Sequence, residues 1–430
     1  MIDIKIIRQD PELVALKTKQ KGHEDNIKLV LKLDKDRRSM LAEIEDLRKQ
    51  RNELVHSSNY NDQQVLQNGK DLKQKITKLE SDLREVELSF NNELKKIPNL
   101  ALDNVPIGQS EKENLVIRQV GEKRQFDFKP KLHHELAFEL GLIDSVRAVK
   151  ISGSRFAYLK GDLVRLQFAI MNFVINTLSD EVLIKSIIDQ NNLNVSAKPF
   201  TPVLPPALLK TEPYLASSRL NAEEVTYKIE QDDLWLNASA EHTLCTMYWN
   251  EILPQKDLPI RYIGYATSFR REAGTYGKDM EGIFRMHQFD KLEMEVFSTA
   301  KTGLEEHLLL IALQEHLMQK LELPYQVLQK CTADIGKPNA VGVDIEVWLP
   351  GQERYRETHT ADYLTDYQSR DLKIRVKNED NTTELVHTND ATAFALGRIM
   401  IAILENYQLA DGHIAVPEVL IPYMAGKTLI

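Results

Sequence analysis

Apolar residues between Leu72 and Ile97 recur at steps of four and three, which is the heptad seam of a coiled coil. The segment from about Ile27 to Val55 is highly charged, favours helix and carries a weaker repeat of the same kind. Between them, His56 to Gln63 is dense in turn-forming residues. The simplest structure is therefore a helical hairpin, which must project from a domain that anchors its base. The seam consists of Leu72, Ile76, Leu79, Leu83, Val86, Phe90, Leu94 and Ile97.

Basic residues along this hairpin are interleaved with acids, so the pattern alone leaves two interpretations open. One is the solvated face of an ordinary coiled coil, and the other is an arm that binds nucleic acid. The net charge of −9 gives no indication that the whole molecule binds a polyanion. A nucleic acid would therefore have to meet a local basic patch.

The remaining composition is that of a protein without stabilising disulfides. Cys245 and Cys331 lie outside any CxxC or Cys/His cluster, so we expect neither a disulfide framework nor a zinc site. The N-terminus lacks the pattern of a secretory signal, and the longest apolar runs are shorter than a membrane helix requires. We therefore expect a cytoplasmic protein that does not contact a membrane.

Pro98 to Gly108 has two prolines and no periodicity, and it reads as a linker. We predict an N-terminal domain at residues 1–108, with its arm at about 27–97, and a second domain at 109–430. The second domain mixes strands and helices, so the fold class is α+β. Helices are predicted at Gly161–Leu178, Gly303–Leu321 and Phe394–Tyr407, and strands at Phe200–Leu208, Asp344–Leu349 and Glu353–Tyr363.

A second hairpin is predicted from Tyr265 to Phe297, with two strands joined by a long polar loop. Strand alternation places Arg270 and Glu272 on one face of the first strand. On the returning strand the polar face holds Arg285, His287, Phe289, Lys291 and Glu293, and the apolar face holds Phe284, Met286, Leu292, Met294 and Val296. Such a face fits a ligand site, but a solvated surface hairpin would show the same alternation.

Three shorter segments add polar groups: Asn237 to Glu241, Glu357 to Thr360, and Thr388 to Arg398. Arg398 falls near the start of a helix that is apolar on nearly all sides. An arginine there is costly unless it meets an anion or a paired carboxylate. A structural salt bridge and a ligand contact are both open for this residue, and Glu357 could be an ordinary strand acid.

Taken in order, these elements resemble the seryl-tRNA synthetases, a family of class II aminoacyl-tRNA synthetases, in their bacterial type. The arm has the family's position and shape, and SGSRFAYLKGDLVRL (Ser152 to Leu166) with FTPVLPP looks like the first class II motif. Arg270 and Glu272 stand in the second motif, FRxE, which continues into HQFDKLE, and the third motif ends at Arg398. DGHIAVPEVLIPYMAG (Asp411 to Gly426) looks like the family's C-terminal stretch.

The resemblance implies an antiparallel sheet flanked by helices in the catalytic domain and a homodimer formed through the first motif. It implies ATP-dependent activation of L-serine to seryl-adenylate with Mg²⁺, then transfer of the seryl group to the 3′ end of serine tRNA. Selenocysteine tRNA is an open second acceptor, and the arm would lie along the long variable arm of serine tRNA. A synthetase-like paralogue that binds or activates an amino acid without charging tRNA is the alternative.

The resemblance also implies roles for individual residues. The residues that act directly in adenylate formation would be Arg270, Arg398 and Glu357. ATP would be contacted by Arg270, Arg271, Glu272, Arg285, Phe289, Glu357, Thr358, His359, Thr360 and Arg398. Serine would be contacted by Ser239, Ala240, Glu241, Arg270, Glu293, Asp390 and Thr392. Glu357 and Thr360 would hold the Mg²⁺ ion, as hard oxygen ligands suited to a hard cation.

The sequence departs from the family pattern in three places. Ser239 replaces a threonine, and the segment that usually reads ExSS is ETHT here. In the third motif the usual Leu-Asn-Gly-Ser-Gly is Asn389 to Ala393, with alanine at both glycine positions. If the backbone there needs positive φ, the alanines predict strain. Asp390 predicts a negative charge near the serine pocket, which could hold the ammonium group or repel ATP.

Overall fold

The computed structural model describes residues 1–57, 63–220, 226–272 and 282–430. Their contacts divide the chain into two compact units, Met1–Leu100 and Ala101–Ile430. Among the helices of the described residues, none is both long enough and apolar enough to cross a membrane.

The N-terminal unit is helical. Its helices are α1 Ile4–Gln9, α2 Pro11–Gln20, α3 Ile27–Ser57 and α4 Gln63–Leu94. The predicted helical hairpin is confirmed, because α3 and α4 pack together and four residues of the predicted seam are buried on α4. Of the predicted turn between them, residues 58–62 lie outside the described residues. The 32 residues of α4 make a helix about 48 Å long.

The base of the hairpin is held by an apolar cluster and a buried carboxylate. Ile27, Val30 and Phe90 pack in this cluster with residues of α1 and α2. Asp34 of α3 has a side chain that is 1% exposed, and Arg8 of α1 donates to its two oxygens at 2.8 and 2.6 Å. Two apposed helices cannot bury a core alone, so this cluster fixes the end from which the arm extends.

The second unit mixes helices and strands. Its helices are α5 His133–Glu139, α6 Ser145–Ser152, α7 Asp162–Leu178, α8 Glu181–Gln190, α9 Thr211–Ala216, α10 Ala240–Leu244, α11 Gly303–Lys320, α12 Tyr367–Leu372 and α13 Leu396–Asn406. Its strands are β1 Leu115–Val120, β2 Ile143–Asp144, β3 Tyr158–Leu159, β4 Thr201–Val203, β5 Leu208–Lys210, β6 Lys228–Ile229, β7 Leu234–Leu236, β8 Ile252–Pro254, β9 Ile260–Phe269, β10 Gln288–Ser298, β11 Tyr325–Gln329, β12 Val341–Leu349, β13 Arg354–Thr365, β14 Arg375–Lys377, β15 Thr383–Leu385 and β16 His387–Ala395.

An eight-stranded sheet in the order β1-β11-β12-β13-β16-β10-β9-β4 forms the centre of this unit. All of its neighbouring strands are antiparallel except β4, which runs parallel to β9. The apolar face of β10, with Leu292, Met294 and Val296, packs in one core with residues of α11 and α13. This confirms the α+β class and the antiparallel sheet flanked by helices, and it leaves the polar face of β10 for a site.

Of the four register shifts in this sheet, two lie at predicted site residues and change the alternation of side chains there. In the pair β12/β13, Asp344 lies opposite Thr360 but Glu346 lies opposite Glu357, so β13 carries one extra residue. In the pair β10/β16, Leu292 lies opposite Phe394 but Glu293 lies opposite Thr392. A bulge turns the residues on its two sides by one position relative to each other. Glu357 and Thr360, three positions apart, therefore point to the same face.

Several predicted boundaries are wrong in detail. The first strand of the predicted second hairpin ends at Phe269 and its second begins at Gln288, so Arg270, Glu272 and Arg285 lie beyond the strand ends. The predicted helix from Phe394 begins at Leu396, because Phe394 and Ala395 still belong to β16. The strand predicted at Phe200–Leu208 splits into β4 and β5, since Pro205 and Pro206 have no N–H to donate. Of the predicted polar loop, residues 273–281 lie outside the described residues.

Candidate active site

Arg270 and Glu272 reach the site from the end of β9, and Arg285 from the segment before β10. The backbone N–H of Arg270 donates to the carbonyl of His287 at 2.9 Å, which continues the pairing beyond the strands. The Arg270 guanidinium donates to the carbonyl of Ala238 at 3.0 Å, and its Cζ lies 5.1 Å from the ring centroid of Phe289. Arg285 donates to the Glu272 carboxylate at 3.2 Å. Arg270, Glu272 and Arg285 therefore lie close together as predicted, although they lie outside the strands whose alternation was used to predict it.

Arg398 enters the same site from the first turn of α13. Its Nη1 donates to the carbonyl of Glu357 at 2.9 Å and lies 3.2 Å from the carboxylate of that residue. Its Cζ also lies 4.9 Å from the ring centroid of Phe284. Although burial acts against it, Arg398 lowers the pKa of the Glu357 carboxyl. Arg398 thus forms the salt bridge that the sequence allowed, and it also lines the pocket, so a ligand contact stays a prediction.

A second network joins the NASAE segment to β10 and β16. Ser239 Oγ donates to Glu241 at 2.8 Å and lies 3.1 Å from the Glu293 carboxylate. Thr392 Oγ1 donates to the same Glu293 oxygen at 3.3 Å. Lys291 contacts Glu293 and donates to Ser239 Oγ at 3.2 Å. Glu293 Oε1 thus lies among a lysine and two hydroxyls, while Glu293 Oε2 has no partner among the described residues.

Burial separates the pKa values of the carboxyls in this network. Burial raises the pKa of Glu293 to about 7, and Lys291 opposes the rise. For Glu241 burial acts in the same direction, but Lys291, His242 and Arg219 outweigh it and hold the pKa of this carboxyl well below its ordinary value. Glu241 is therefore ionised at neutral pH, whereas Glu293 titrates there.

Asp390 pairs with Arg219, a residue that the sequence interpretation did not select. Arg219 Nη2 donates to Asp390 Oδ2, and Arg219 Nη1 lies 3.8 Å from the Glu241 carboxylate. Burial raises the pKa of Asp390, and the Arg219 charge acts in the opposite direction. The carboxyl predicted near the serine pocket therefore lies directly beside a cation that can balance its charge.

The expected strain in the third motif is absent. Ala391 and Ala393 lie inside β16, and neither is among the described residues with positive φ. Both alanines are buried in the core together with Phe394. The prediction of strain is therefore wrong, because an extended strand accepts alanine without cost.

These two networks line one pocket with about 900 Å³ of empty space, its open mouth included. Among the described residues, its walls include these predicted site residues: Arg270, Glu272, Arg285, Phe289, Glu357, Thr358, Thr360, Arg398, Glu241, Glu293, Asp390 and Thr392. Four others lie off its walls. Ser239 is fully buried and contacts Glu241 and Glu293, which line the pocket. Arg271 Cζ lies 5.8 Å from the Tyr227 ring centroid, Ala240 is buried at the start of α10, and His359 packs against Phe394.

His359 is separated from the pocket by the bulge in β13. Its ring is fully buried, and Nδ1 lies 2.8 Å from Thr358 Oγ1. Burial lowers the pKa of His359 to about 3, so the ring is neutral at physiological pH. An uncharged side chain on the core side of the strand is poorly placed for a phosphate contact.

Glu357 and Thr360 are the residues that fit a magnesium ion. The bulge brings both to the pocket wall, and both carry oxygen donors. Thr360 Oγ1 donates its proton to Asp344 at 2.7 Å, which leaves oxygen lone pairs toward the pocket. No cluster of three or more His, Cys, Asp or Glu side chains within the described ranges could hold a metal alone. An ion at this place would therefore need ligands from substrate or water, as Mg²⁺ commonly does.

Sequence reasoning missed several residues of the pocket. Lys291 was placed on the correct face without a role, and Asp362 lies two positions beyond Thr360 on the same strand face. Phe284 and Met286 were assigned to the apolar face, but both precede β10 and line the pocket. Alternation could have found Asp362. Arg219 follows α9 in an irregular segment, where no periodicity marks it.

Comparison with known proteins agrees with this geometry. The family model "Seryl-tRNA synthetase N-terminal domain" matches residues 1–101, and "tRNA synthetase class II core domain (G, H, P, S and T)" matches residues 226–407. The serine–tRNA ligase of Petrotoga mobilis is 38% identical, with 100% of both chains covered. That of Pyrococcus horikoshii is 37% identical, covering 100% of this chain and 98% of the relative.

Solved structures agree as well. The crystal structure of seryl-tRNA synthetase from Pyrococcus horikoshii complexed with ATP superimposes with a TM-score of 0.89. It is 36% identical, and the match covers 100% of this chain and 99% of that one. With an active-site pocket of this composition and relatives matched over its full length, the chain belongs to the seryl-tRNA synthetase family, the class II serine–tRNA ligases.

Proposed function

We propose that the protein activates L-serine with ATP to give seryl-adenylate and transfers the seryl group to the 3′ end of serine tRNA. The observation that carries this proposal is the single pocket that joins three arginines to the Ser239, Glu241, Glu293 and Thr392 network. Arginines suit phosphate groups, and carboxylates with a hydroxyl suit an amino acid that carries an ammonium and a hydroxyl group.

ATP would lie along the arginine side of the pocket. Arg270 would bind the α-phosphate and the serine carboxylate, and Arg285 and Arg398 the terminal phosphates. Phe289 would stack on the adenine ring, and Glu272 would accept a hydrogen bond from its amino group. Arg285 holds Glu272 at 3.2 Å, which keeps this acceptor in place before ATP arrives. Thr358 lines this wall and would contact the nucleotide from it, whereas Arg271 and His359 would support the wall from outside the pocket.

Serine would lie in the second network. Glu241 and Glu293 would accept hydrogen bonds from the ammonium group of serine. Thr392 and Ser239 would hydrogen-bond to its hydroxyl group, and the backbone of Ala240 would lie beside them. A site that hydrogen-bonds a substrate hydroxyl rejects the analogue that lacks it by about 10⁴-fold or more in a comparable synthetase. Asp390 would contribute to the wall of this subsite through its contact with Arg219.

The chemistry would proceed by positioning and charge stabilisation. The serine carboxylate attacks the α-phosphorus, a new P–O bond forms, and pyrophosphate leaves with the electrons of the broken bond. The tRNA 3′ hydroxyl then attacks the seryl carbonyl carbon to form an ester bond. The bond from that carbon to the phosphate oxygen breaks, and AMP leaves with its electrons while its phosphate takes up the hydroxyl proton. Arg270 would hold nucleophile and electrophile together, and Arg398 would stabilise charge on the leaving group. Magnesium held by Glu357 and Thr360 would neutralise phosphate charge when bound.

The remaining assignments extend the family membership. We propose residues 1–108 as the tRNA-binding domain and 109–430 as the catalytic domain; the observed contact units divide at Leu100. The helical arm of the protein would contact the phosphate backbone of the long variable arm of the tRNA. Basic residues such as Arg48 and Lys75 would make these contacts. A homodimer, a cytoplasmic location without membrane contact, and charging of selenocysteine tRNA belong to the same proposal.

The bacterial type is a further part of the proposal. Relatives from Petrotoga mobilis and from the archaeon Pyrococcus horikoshii are almost equally similar, at 38% and 37% identity. Charging of purified bacterial and archaeal serine tRNAs would separate the types. We expect at least a tenfold higher kcat/KM with the bacterial tRNA, and equal values would remove this assignment.

Pyrophosphate exchange tests the activation step. We expect exchange that depends on serine and ATP, with threonine, alanine and glycine supporting it at less than about 1% of the serine rate. Absence of serine-dependent exchange would reject the proposal. Charging of serine tRNA, measured on the same preparation, addresses the alternative of a paralogue that does not charge tRNA. Similarity to serine–tRNA ligases over the full length, arm included, does not favour that alternative.

A further inference from the structure

Arg219 lies behind the wall of the proposed serine subsite. Its side chain is 13% exposed and does not line the pocket, yet it contacts Asp390 and Glu241, which do. The Asp390 side chain is 5% exposed. Two pocket carboxylates therefore share one buried guanidinium, which is costly to place there unless it is paired.

The backbone that carries Arg219 is tied to the strand that carries Asp390. The N–H of Arg219 donates to Ser217 Oγ at 3.1 Å, and Gln368 Nε2 donates to the carbonyl of Ser217 at 2.9 Å. Thr388 of β16 in turn donates to Gln368 at 2.9 Å. This chain of hydrogen bonds links residue 217 to a position two residues before Asp390, so the segment and the strand form one positioned unit.

The surroundings of Arg219 are rich in acids. Its positive charge favours the ionised form of four carboxyls: Glu241, Glu295, Asp362 and Asp390. Neither carboxylate oxygen of the fully buried Glu295 has a partner among the described residues. Without Arg219 these acids would repel one another and move, because a buried carboxylate that loses its cation is strongly destabilised.

We propose that Arg219 is a positioning residue for serine. It fixes Asp390 and Glu241 from behind the wall and cancels the charge of Asp390, so that the substrate ammonium is read by Glu241 and Glu293. This inference rests on the proposed serine activation and adds to it a residue outside the pocket. It also explains how the chain accommodates an aspartate where the family pattern has asparagine.

The test is serine-dependent pyrophosphate exchange by the full-length chain with R219M, D390N and the double variant. R219M removes one positive charge, D390N removes one negative charge, and the double variant restores the net charge of the pair. We expect R219M to raise KM for serine at least tenfold, while KM for ATP stays within twofold. The double variant should return KM for serine to within threefold of the wild type. R219K, which keeps the charge, should lie between wild type and R219M and serves if R219M does not fold.

A matched control is the buried pair Arg261–Glu306, whose atoms lie 2.9 Å apart with side chains 0% and 1% exposed. R261M should lower the melting temperature as R219M does, but leave KM for serine within twofold. The inference is overturned if the double variant binds serine no better than R219M, or if R219M raises KM for serine and for ATP in parallel. A wild type without serine-dependent exchange would instead refute the proposed function itself.

Discussion

Glu293 should make serine binding depend on pH near neutrality. Its carboxyl is fully buried, and burial raises its pKa to about 7. Only the ionised form can accept hydrogen bonds from the serine ammonium without a competing proton, so KM for serine should fall as pH rises through 7. At pH 6, one unit below this pKa, about one molecule in ten is ionised, and KM should be about tenfold above its plateau. KM for serine, measured by pyrophosphate exchange from pH 6 to 8, checks this.

The E293Q variant separates this carboxyl from other groups that titrate. A hydrogen bond to a charged group contributes about 1.5–3 kcal/mol, so KM for serine should rise by about 10- to 150-fold. Its KM should also no longer change with pH. KM for ATP on the same preparations is the control, since Glu293 contacts Ser239, Thr392 and Lys291 and none of the nucleotide-side arginines. A pH dependence retained in E293Q, or a flat profile in the wild type, would refute the reasoning.

Three further predictions address the arm, its base and the metal. Replacing residues 42–85 with a short Gly/Ser linker keeps the apolar base of the hairpin. This change should reduce tRNA charging more than about 100-fold, while serine-dependent pyrophosphate exchange should stay within twofold of the wild type. An equal loss of both activities would contradict the role of the arm. Burial acts to raise the pKa of Asp34, but Arg8 and the neighbouring arginines outweigh burial and hold this pKa below its ordinary value. The ionised carboxylate therefore stabilises the N-terminal unit at any pH above the pKa that Asp34 has in the unfolded chain. This stability is lost as the pH falls through the lower pKa of the folded state. D34N should therefore cost about 3 kcal/mol near pH 7 and less at pH 3, as measured by hydrogen exchange in α1 and α3. E357Q should raise the Mg²⁺ concentration for half-maximal exchange at least about tenfold, and an unchanged requirement would remove Glu357 as a ligand.

The sequence predicted the elements well where one period persists. The seam of α4 and the helix α11 keep a single period of burial, and they were found within a few residues. The strands β12 and β13 were found as closely, although a bulge interrupts the alternation of β13. Arg270 and Arg285 were chosen by alternation along two strands, but β9 ends before Arg270 and β10 begins after Arg285. They still reach the pocket, because the pairing of Arg270 with His287 continues past the strand ends.

The parts that escaped prediction depend on contacts distant in sequence. Arg219 meets Asp390 across 171 positions, and no local pattern could link them. The family pattern suggested strain at Ala391 and Ala393, because glycine there was read as a need for positive φ. In this chain both positions are strand residues in the core, where glycine would gain nothing. His359 was selected by its neighbours in sequence, but the adjacent bulge turns it into the core.

The bulges in β13 and β16 should determine which positions of these strands tolerate mutation. In β13, the residues that line the pocket are odd-numbered at Glu357 and even-numbered at Thr358, Thr360 and Asp362, and we expect substitutions there to reduce activity. In β16 the order is reversed, with even numbers at Asp390 and Thr392 and an odd number at Ala395. A saturation scan scored separately for activity and for abundance should therefore change parity just after Glu357 in β13 and between Thr392 and Ala395 in β16. Because Thr358 is the extra residue of the bulge, deleting it would leave Glu357 and His359 opposite their present partners and keep both flanks of β13 on their present faces. Deleting a regularly paired residue such as Ala361 would instead exchange the two faces along one flank, so the strand should tolerate the loss of Thr358 better than the loss of its neighbours.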